Sequence, residues 1–232
     1  MKRIGILGGM SWESSAEYYR LINEGVRERL GGLHSAELLL RSVDFEPVER
    51  LQHAGAWEEL GKLLAEAARE LEWGGAEGIL LATNTMHKVA DAIESATELP
   101  FLHIADATAE RLRREGVRRV GLLGTAFTME EPFYRRRLEE RYGLEVLVPE
   151  APGRERVHRV IYDELCLGIT REESRRAYLE IVEELARRGA EAVILGCTEI
   201  GLLIRDGDAS VPLYDTTRIH AEAAVEWMVD SR

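Results

Sequence analysis

Residues 195–201 read Leu195-Gly196-Cys197-Thr198-Glu199-Ile200-Gly201, and they directly follow the apolar residues 192–194. A cysteine just past an apolar run is typical of a loop at the end of a buried strand. A matching stretch lies 114 residues earlier, where Ala82-Thr83-Asn84-Thr85-Met86-His87 follows the apolar residues 79–81. At this spacing Thr83 aligns with Cys197, and the lead-ins Gly-Ala-Glu-Gly at 75–78 and Gly-Ala-Glu-Ala at 189–192 align as well.

A second repeat has nearly the same spacing. Arg-Ile-Gly-Ile-Leu-Gly at 3–8 resembles Arg-Val-Gly-Leu-Leu-Gly at 119–124, which lies 116 residues later. Two repeats spaced by about half of a chain of 232 residues predict an internal duplication. We therefore expect two similar halves that face each other across a cleft, with Thr83 and Cys197 in equivalent positions.

The composition excludes several classes of protein. Hydrophobic residues make up 45% and charged residues 31%, which is ordinary for a globular chain. The net charge of −12 argues against nucleic acid as a partner, and no apolar run approaches the roughly 18 residues of a membrane span. Residues 1–7 read as a first strand and not as a signal peptide. The two cysteines, Cys166 and Cys197, form no disulfide framework, so we expect a cytoplasmic protein with reduced thiols.

Short apolar runs alternate with helical patterns in both halves, which predicts parallel sheets covered by helices. The fold class is therefore α/β, with two pseudo-symmetric doubly wound domains, each containing a four-stranded parallel sheet. We place the domains at 1–104 and 105–232, and a last helix at about 217–229 could pack on the first half. The predicted strands are 3–7, 38–43, 78–82, 101–104, 119–123, 145–148, 192–195 and 211–214.

Several local signals predict helix ends. Ser14 with Glu17 and Thr170 with Glu173 have the spacing of capping boxes. Pro47 predicts a loop after the second strand. A further helix is expected from about His87 to just before residue 100.

Polar loops follow four of the predicted strands, at the carboxyl ends where α/β folds bind ligands. Cys197 is followed by a possible helix start, whose backbone N–H groups would favour a thiolate. The alternative is a buried structural cysteine, and Cys166, in an apolar helical pattern, is predicted to be a core residue. The cluster 83–85 either caps a helix or holds a carboxylate. His87 either touches the site or is structural.

The sequence shows no spacing of a metal site, no lysine in a pyridoxal-type context and no phosphate-binding loop. No cofactor is therefore expected. At this point the chain resembles the aspartate/glutamate racemase family, which includes hydantoin racemases and is independent of pyridoxal phosphate. The resemblance is carried by the motifs at 8–12, 83–87 and 195–199 and extends over essentially the whole chain.

The resemblance implies two pseudo-symmetric domains with the active site between them, a homodimer, and two residues that flank the substrate Cα. In the family these are most often cysteines, at the positions of Thr83 and Cys197. Because a threonine hydroxyl is far harder to ionise than a thiol, Thr83 is a poor general base. Our hypothesis is that Cys197, as a thiolate, removes the Cα proton and that Thr83 helps to return one to the other face, as in a branch of the family with threonine here.

The family's substrate is an acidic amino acid. By motif position the resemblance implies substrate contacts from Met10, Asn84, Thr85, Thr198 and Glu199, and we add Gln52 and Thr125. One branch of the family has a lysine near the position of Cys166, which this chain lacks. Arg41 is a candidate anchor for the side-chain carboxylate, or else a surface charge.

The sequence thus predicts a cofactor-independent racemase of aspartate and/or glutamate that uses Cys197 and Thr83. Two alternatives stay open. One is a decarboxylase or isomerase of the same superfamily that uses Cys197. The other is a non-catalytic protein that binds small acids, in which Thr83 replaced a lost cysteine. The partner in each case is a small molecule, with neither nucleic acid nor membrane involved.

Overall fold

The computed structural model describes residues 1–230 and shows an α/β chain with two four-stranded parallel sheets. The predicted fold class is thereby confirmed. The chain divides into two compact units. The first unit joins Met1–Ile104 with residues 220–230, and the second is Ala105–Ile219. Among the described residues, no helix is both long and apolar enough to cross a membrane.

The strands and helices alternate along the chain. The strands are β1 (Ile4–Gly8), β2 (Leu38–Ser42), β3 (Gly78–Leu81), β4 (Phe101–Leu102), β5 (Arg119–Gly124), β6 (Glu145–Leu147), β7 (Ala192–Gly196) and β8 (Leu213–Asp215). The helices are α1 (Trp12–Leu30), α2 (Phe45–His53), α3 (Trp57–Trp73), α4 (Ala90–Glu94), α5 (Ile104–Arg114), α6 (Ala126–Glu130), α7 (Pro132–Arg136), α8 (Ala151–Asp163), α9 (Glu172–Arg187) and α10 (Thr216–Val229). Short 3₁₀ turns span Thr85–Val89, Leu165–Leu167 and Thr198–Leu202, and Arg137–Arg141 forms a π turn.

In the first unit the strand order is β2-β1-β3-β4, and every pairing is parallel. Side chains alternate between the two faces of β1. Leu7 packs with Leu64 and Leu71 of α3, whereas Ile4 and Ile6 pack in a separate cluster with α1 and α10. Because helices cover both faces of the central strands, those strands read in the sequence as continuous apolar runs.

The second unit has the equivalent strand order, β6-β5-β7-β8, again entirely parallel. Leu123 of β5 and Leu195 of β7 pack into one cluster with residues of α8 and α9, among them Tyr178 and Val182. Both units thus place their second strand at an edge and their third strand inside the sheet. The shared order is the arrangement expected from an internal duplication.

Three sequence-based element predictions were wrong in detail. Helix α2 occupies the segment around Pro47 where we expected a loop, and the proline is tolerated because it lies in the first turn, where a backbone N–H needs no intrahelical partner. Strand β4 is only two residues long, because α5 already begins at Ile104. The helix expected from His87 is a 3₁₀ turn followed by the five residues of α4.

Both predicted capping boxes were also wrong. Helix α1 is capped by Ser11, whose hydroxyl accepts a hydrogen bond from the Ser14 N–H at 3.3 Å. Ser14 itself donates to the carbonyl oxygen of Ala82 at 3.0 Å, so its hydroxyl joins α1 to the loop after β3. The N-cap of α9 is Arg171, which makes no side-chain cap bond.

Candidate active site

Cys197 is the first residue after β7, an interior strand whose five residues are all buried. Its backbone is extended, with φ −148° and ψ 133°, and the 3₁₀ turn Thr198–Leu202 follows at once. The neighbouring strand β5 is in register with β7, and Gly124 pairs with Gly196. Thr125 and Cys197 therefore leave adjacent strands at the same edge of the sheet.

A buried carboxylate lies against the Cys197 thiol. The Sγ atom donates a hydrogen bond to Oε2 of Glu199 at 2.9 Å. The hydroxyl of Thr198 donates to the same oxygen at 2.6 Å. Glu199 is only 4% exposed. Because a thiolate has no proton to donate, this geometry holds Cys197 in its thiol form.

The pKa of Cys197 is raised well above its usual range. Burial is the largest cause, the negative charge of Glu199 adds to it, and so does Cys166 when it is ionised. A backbone N–H group after Cys197 does act in the expected direction, toward the thiolate, but the effects that favour the thiol outweigh it. The Glu199 backbone N–H does lower the pKa, but it is the weakest of these effects because the turn is short and the thiol is desolvated next to a carboxylate.

The second thiol, Cys166, lies in the 3₁₀ turn Leu165–Leu167. It is partly buried and packs against the core of the second unit, and Cys197 packs against the same core. The nearby Tyr178 is fully buried, and its hydroxyl donates to the carbonyl oxygen of Val157 at 2.8 Å. Burial raises the pKa of Tyr178 well above its usual range, and Cys197 adds to this effect when it is ionised.

Thr83 follows β3 in the first unit, at the position equivalent to Cys197. It is buried, with 8% of its surface exposed, and so are Asn84 and Thr85. Asn84 precedes the 3₁₀ turn Thr85–Val89 without forming a side-chain cap bond to it. The alternative in which this polar cluster merely caps a helix is therefore not supported for Asn84.

The loop after β1 lies next to this segment, because β1 and β3 are paired strands. Gly9 has a φ of +93°, and its N–H donates to the Ser15 hydroxyl at 2.7 Å. The Ser15 hydroxyl in turn donates to the carbonyl oxygen of Ser11 at 3.0 Å. Met10 is buried in this loop. The bond from Ser14 to Ala82 ties the same helix start to the residue before Thr83.

Thr125 and Gln52, the two residues added to the predicted contacts, are both buried. Thr125 is the N-cap of α6, and its hydroxyl accepts from the Thr128 N–H at 3.3 Å. Gln52 lies on α2. The roles of Met10, Gln52, Asn84, Thr85, Thr125, Thr198 and Glu199 as substrate contacts stay predictions.

Arg41 is a surface charge. Its guanidinium donates to the Glu70 carboxylate and, at 2.8 Å, to the carbonyl oxygen of Ser42. The side chains of both members of the ion pair are exposed, by 40% and 42%. This pairing gives Arg41 a structural role and provides no support for it as an anchor of a substrate carboxylate.

Two histidines near the strand ends bond to backbone groups. The Nδ1 atom of His87 lies 2.7 Å from the carbonyl oxygen of Thr83. His158 of α8 accepts a hydrogen bond from the Ala126 N–H at 3.1 Å, one residue after Thr125. The spacing of four residues from Thr83 pointed to His87. His158 carries no sequence signal, because it lies 32 residues from its partner. Within residues 1–230, no group of three or more His, Cys, Asp or Glu side chains could hold a metal ion.

The family and the solved structures that this chain resembles are all described as Asp/Glu racemases or their homologues. Residues 7–224 match the Asp/Glu/Hydantoin racemase family. The crystal structure of a candidate Asp/Glu racemase from Yersinia pestis has 53% sequence identity and a TM-score of 0.93, over 99% of this chain and 100% of that one. An aspartate racemase homologue from Pyrococcus horikoshii OT3 has 39% identity and a TM-score of 0.86, over 99% and 100% of the two chains.

A more distant relative has a named activity. The broad specificity amino-acid racemase RacX of Bacillus subtilis (strain 168) is 22% identical over 96% of both chains. The family match spans most of the sequence and includes both loops that carry Thr83 and Cys197. The chain belongs to the Asp/Glu/hydantoin racemase family.

Proposed function

We propose that this racemase acts on aspartate and/or glutamate, by removing the Cα proton and returning one to the opposite face. The observation that carries the proposal is the Cys197 thiol at the carboxyl end of β7, hydrogen-bonded to the buried Glu199 carboxylate at 2.9 Å. A thiol beside a proton acceptor is the arrangement that general acid–base chemistry at carbon requires. The reaction in this proposal needs no cofactor.

The first step prepares the base. Because the raised pKa keeps Cys197 protonated, its proton must leave before the sulfur can act. The Glu199 carboxylate already accepts the S–H hydrogen bond, so it is the group that takes this proton and becomes a carboxylic acid. The Cys197 thiolate then takes the Cα proton, and the electron pair stays on the substrate as a carbanion.

The second step completes inversion. In our proposal the Thr83 hydroxyl gives its proton to the opposite face of the carbanion and takes a proton from water. Cys197 is then left as a thiol, and Glu199 releases its proton to solvent. Protons therefore balance over the cycle. Burial of Thr83, Asn84 and Thr85 favours this role, because hydrogen bonds to a developing charge are stronger away from water.

The choice of aspartate and glutamate as substrates is supported by the names of the relatives. The Pyrococcus horikoshii protein is described as an aspartate racemase homologue. RacX is described as having broad specificity, so other amino acids form the second set to test. We also keep the homodimer and the cytoplasmic location as predictions.

The test is proton NMR of L-aspartate and L-glutamate in D₂O with purified protein and no added cofactor. The proposal predicts loss of the Cα–H signal together with formation of the D-enantiomer in chiral analysis of the same tube. Release of the α-carboxylate as CO₂ would instead identify a decarboxylase. If neither these substrates nor a panel of other amino acids loses the signal, the racemase proposal is contradicted and the alternative of a non-catalytic protein that binds small acids is favoured.

A further inference from the structure

His87 joins two separate backbone segments of the first unit. Its Nδ1 atom lies 2.7 Å from the carbonyl oxygen of Thr83, and its Nε2 atom accepts a hydrogen bond from the Ile104 N–H at 3.2 Å. The side chain is 4% exposed. One end of the ring therefore contacts the residue proposed to return the proton, and the other contacts the first residue of α5.

These two contacts fix the protonation state of the ring. A carbonyl oxygen can only accept a hydrogen bond, so Nδ1 must carry a hydrogen. A backbone N–H can only donate, so Nε2 must be without one. His87 is therefore the neutral Nδ1–H tautomer. If Nε2 were protonated, its N–H group and the Ile104 N–H group would face each other as two donors without an acceptor.

Other rings, which are buried or partly buried, surround His87. The ring of His103 lies with its centroid 4.4 Å away, and those of Phe101 and His220 at 5.6 and 6.2 Å. His220 is fixed as well, because its Nε2 lies 2.8 Å from the Leu102 carbonyl oxygen and its Nδ1 lies 2.9 Å from the Tyr18 hydroxyl. This packing keeps the His87 ring from turning away from Thr83.

We propose that His87 is a positioning residue for Thr83: its neutral Nδ1–H group holds the Thr83 main chain so that the hydroxyl faces the substrate Cα. The proposal rests on the racemase function proposed above. Without the bond, the buried Thr83 carbonyl would lose its donor, and the loop would move to find another. A shift of about 1 Å at a reacting group lowers a rate by about a hundredfold.

Two variants separate the two ends of the ring. In His87→Asn the amide nitrogen takes the place of Nδ1 and can still donate to the Thr83 carbonyl oxygen, while nothing reaches Ile104. In His87→Gln the longer amide reaches the place of Nε2 and can accept from the Ile104 N–H, while the Thr83 contact is lost. Phe101→Leu is the matched control, since it removes a ring contact of His87 and leaves both hydrogen bonds.

The readout is the ratio of inversion to exchange with retention, measured in D₂O by NMR and chiral analysis. Exchange with retention needs Cys197 and Glu199 but not Thr83: the Cys197 thiolate removes the Cα proton, the resulting S–H exchanges its hydrogen for deuterium with D₂O, and the thiol returns deuterium to the same face. Inversion also needs Thr83. A purely structural role of His87 would lower both rates together and leave their ratio unchanged.

We expect His87→Gln to lower the ratio at least tenfold, and His87→Asn and Phe101→Leu to keep it within about threefold of the wild type. An active wild type whose ratio is unchanged in His87→Gln overturns this inference alone. An equal fall of the ratio in His87→Asn also overturns it, because the Thr83 bond survives there. A wild type that exchanges no Cα proton overturns the racemase proposal and this inference with it.

Discussion

Glu199 sets the resting state of Cys197 at the scale of single residues. Its Oε2 atom accepts hydrogen bonds from the thiol and from the Thr198 hydroxyl, and its charge raises the pKa of Cys197 after the larger effect of burial. A carboxylate in this position opposes formation of the thiolate and also provides the acceptor for its proton. The two effects can be separated by substitution.

We predict that Glu199→Gln lowers the pKa of Cys197, because it removes a nearby negative charge. The same variant should lose racemase activity, since an amide cannot take the thiol proton. The measurement is the rate of iodoacetamide alkylation against pH, followed by mass spectrometry of the Cys197 peptide. Cys166 in the same samples is the internal reference. An unchanged or higher alkylation midpoint for Cys197 would contradict this account of the thiol.

The difference between Cys197 and Thr83 predicts unequal catalysis in the two directions. A thiol and a hydroxyl differ greatly in acidity, so removal of the proton from the face of Thr83 is the harder step. We expect kcat for one enantiomer to exceed kcat for the other at least severalfold. Initial rates measured from each pure enantiomer test this, with kcat/KM equal in both directions as the internal check for a racemase. Equal kcat values would contradict the asymmetric roles.

At the scale of elements, the conformation of the loop after β1 is restricted because the backbone of Gly9 lies close to the backbone of Val43. A Cβ atom on Gly9 would lie 2.2 Å from the carbonyl oxygen of Val43 and 2.5 Å from its nitrogen, and Gly9 has a positive φ. Gly55, between α2 and α3, has a φ of +70° with nothing within 4 Å of such an atom. Alanine substitutions at Gly9 and Gly55 therefore separate the free-energy cost of a side chain at positive φ from the cost of the contact with Val43.

We predict that Gly9→Ala lowers the free energy of unfolding by about 3 kcal/mol or more, because backbone atoms must move. Gly55→Ala should cost only about 1 kcal/mol, the penalty of a side chain in the left-handed region. Urea unfolding followed by circular dichroism measures both. Equal losses in the two variants would show that the approach of Val43 does not restrict this loop.

The sequence was sufficient to predict the larger elements and the loops that carry Thr83 and Cys197. Apolar runs such as 79–81 and 192–195 identified strands buried on both faces, and the polar residues after them identified the loops of Thr83 and Cys197. The error at Ser14 arose from contacts distant in sequence. The serines of α1 bond to the loops of β1 and β3, so the predicted capping box at Ser14 was wrong.

The protonation state of Cys197 could also not be predicted from the local sequence. The spacing showed a possible helix start, whose N–H groups favour a thiolate, but not that the partly buried sulfur packs against the core of the second unit. Burial is the largest effect on its pKa, and it depends on the packing of α8 and α9 against β7. Likewise, the bond from His87 to Ile104 joins residues that are 17 apart, and only the fold brings them together.

At the scale of the whole molecule, buried thiol and phenol groups make the free energy of unfolding depend on pH in the alkaline range. Burial raises the pKa of Cys197 and Tyr178 above the values these groups have in an unfolded chain. Between the unfolded and folded pKa values the native state binds more protons than the unfolded state, so the free energy of unfolding falls as pH rises. Below the ordinary cysteine pKa of about 8.5 these groups have no such effect.

We therefore predict a urea midpoint that declines steadily above about pH 9. Tyr178→Phe should flatten this decline, although loss of its bond to Val157 costs about 1 kcal/mol at neutral pH. Unfolding curves from pH 7 to pH 11 for both proteins measure the slopes. A slope in Tyr178→Phe as steep as in the wild type would show that Tyr178 does not contribute.

In the proposed reaction the Cys197 sulfur removes the Cα proton. Deuterium exchange at Cα of L- and D-aspartate and of L- and D-glutamate tests it directly, in Cys197→Ala and in the matched control Cys166→Ala. We predict that Cys197→Ala loses exchange by about a hundredfold or more in the direction that Cys197 initiates. Cys166→Ala should stay within about threefold of the wild type. Wild-type exchange in Cys197→Ala, for both enantiomers of an active substrate, would contradict the account.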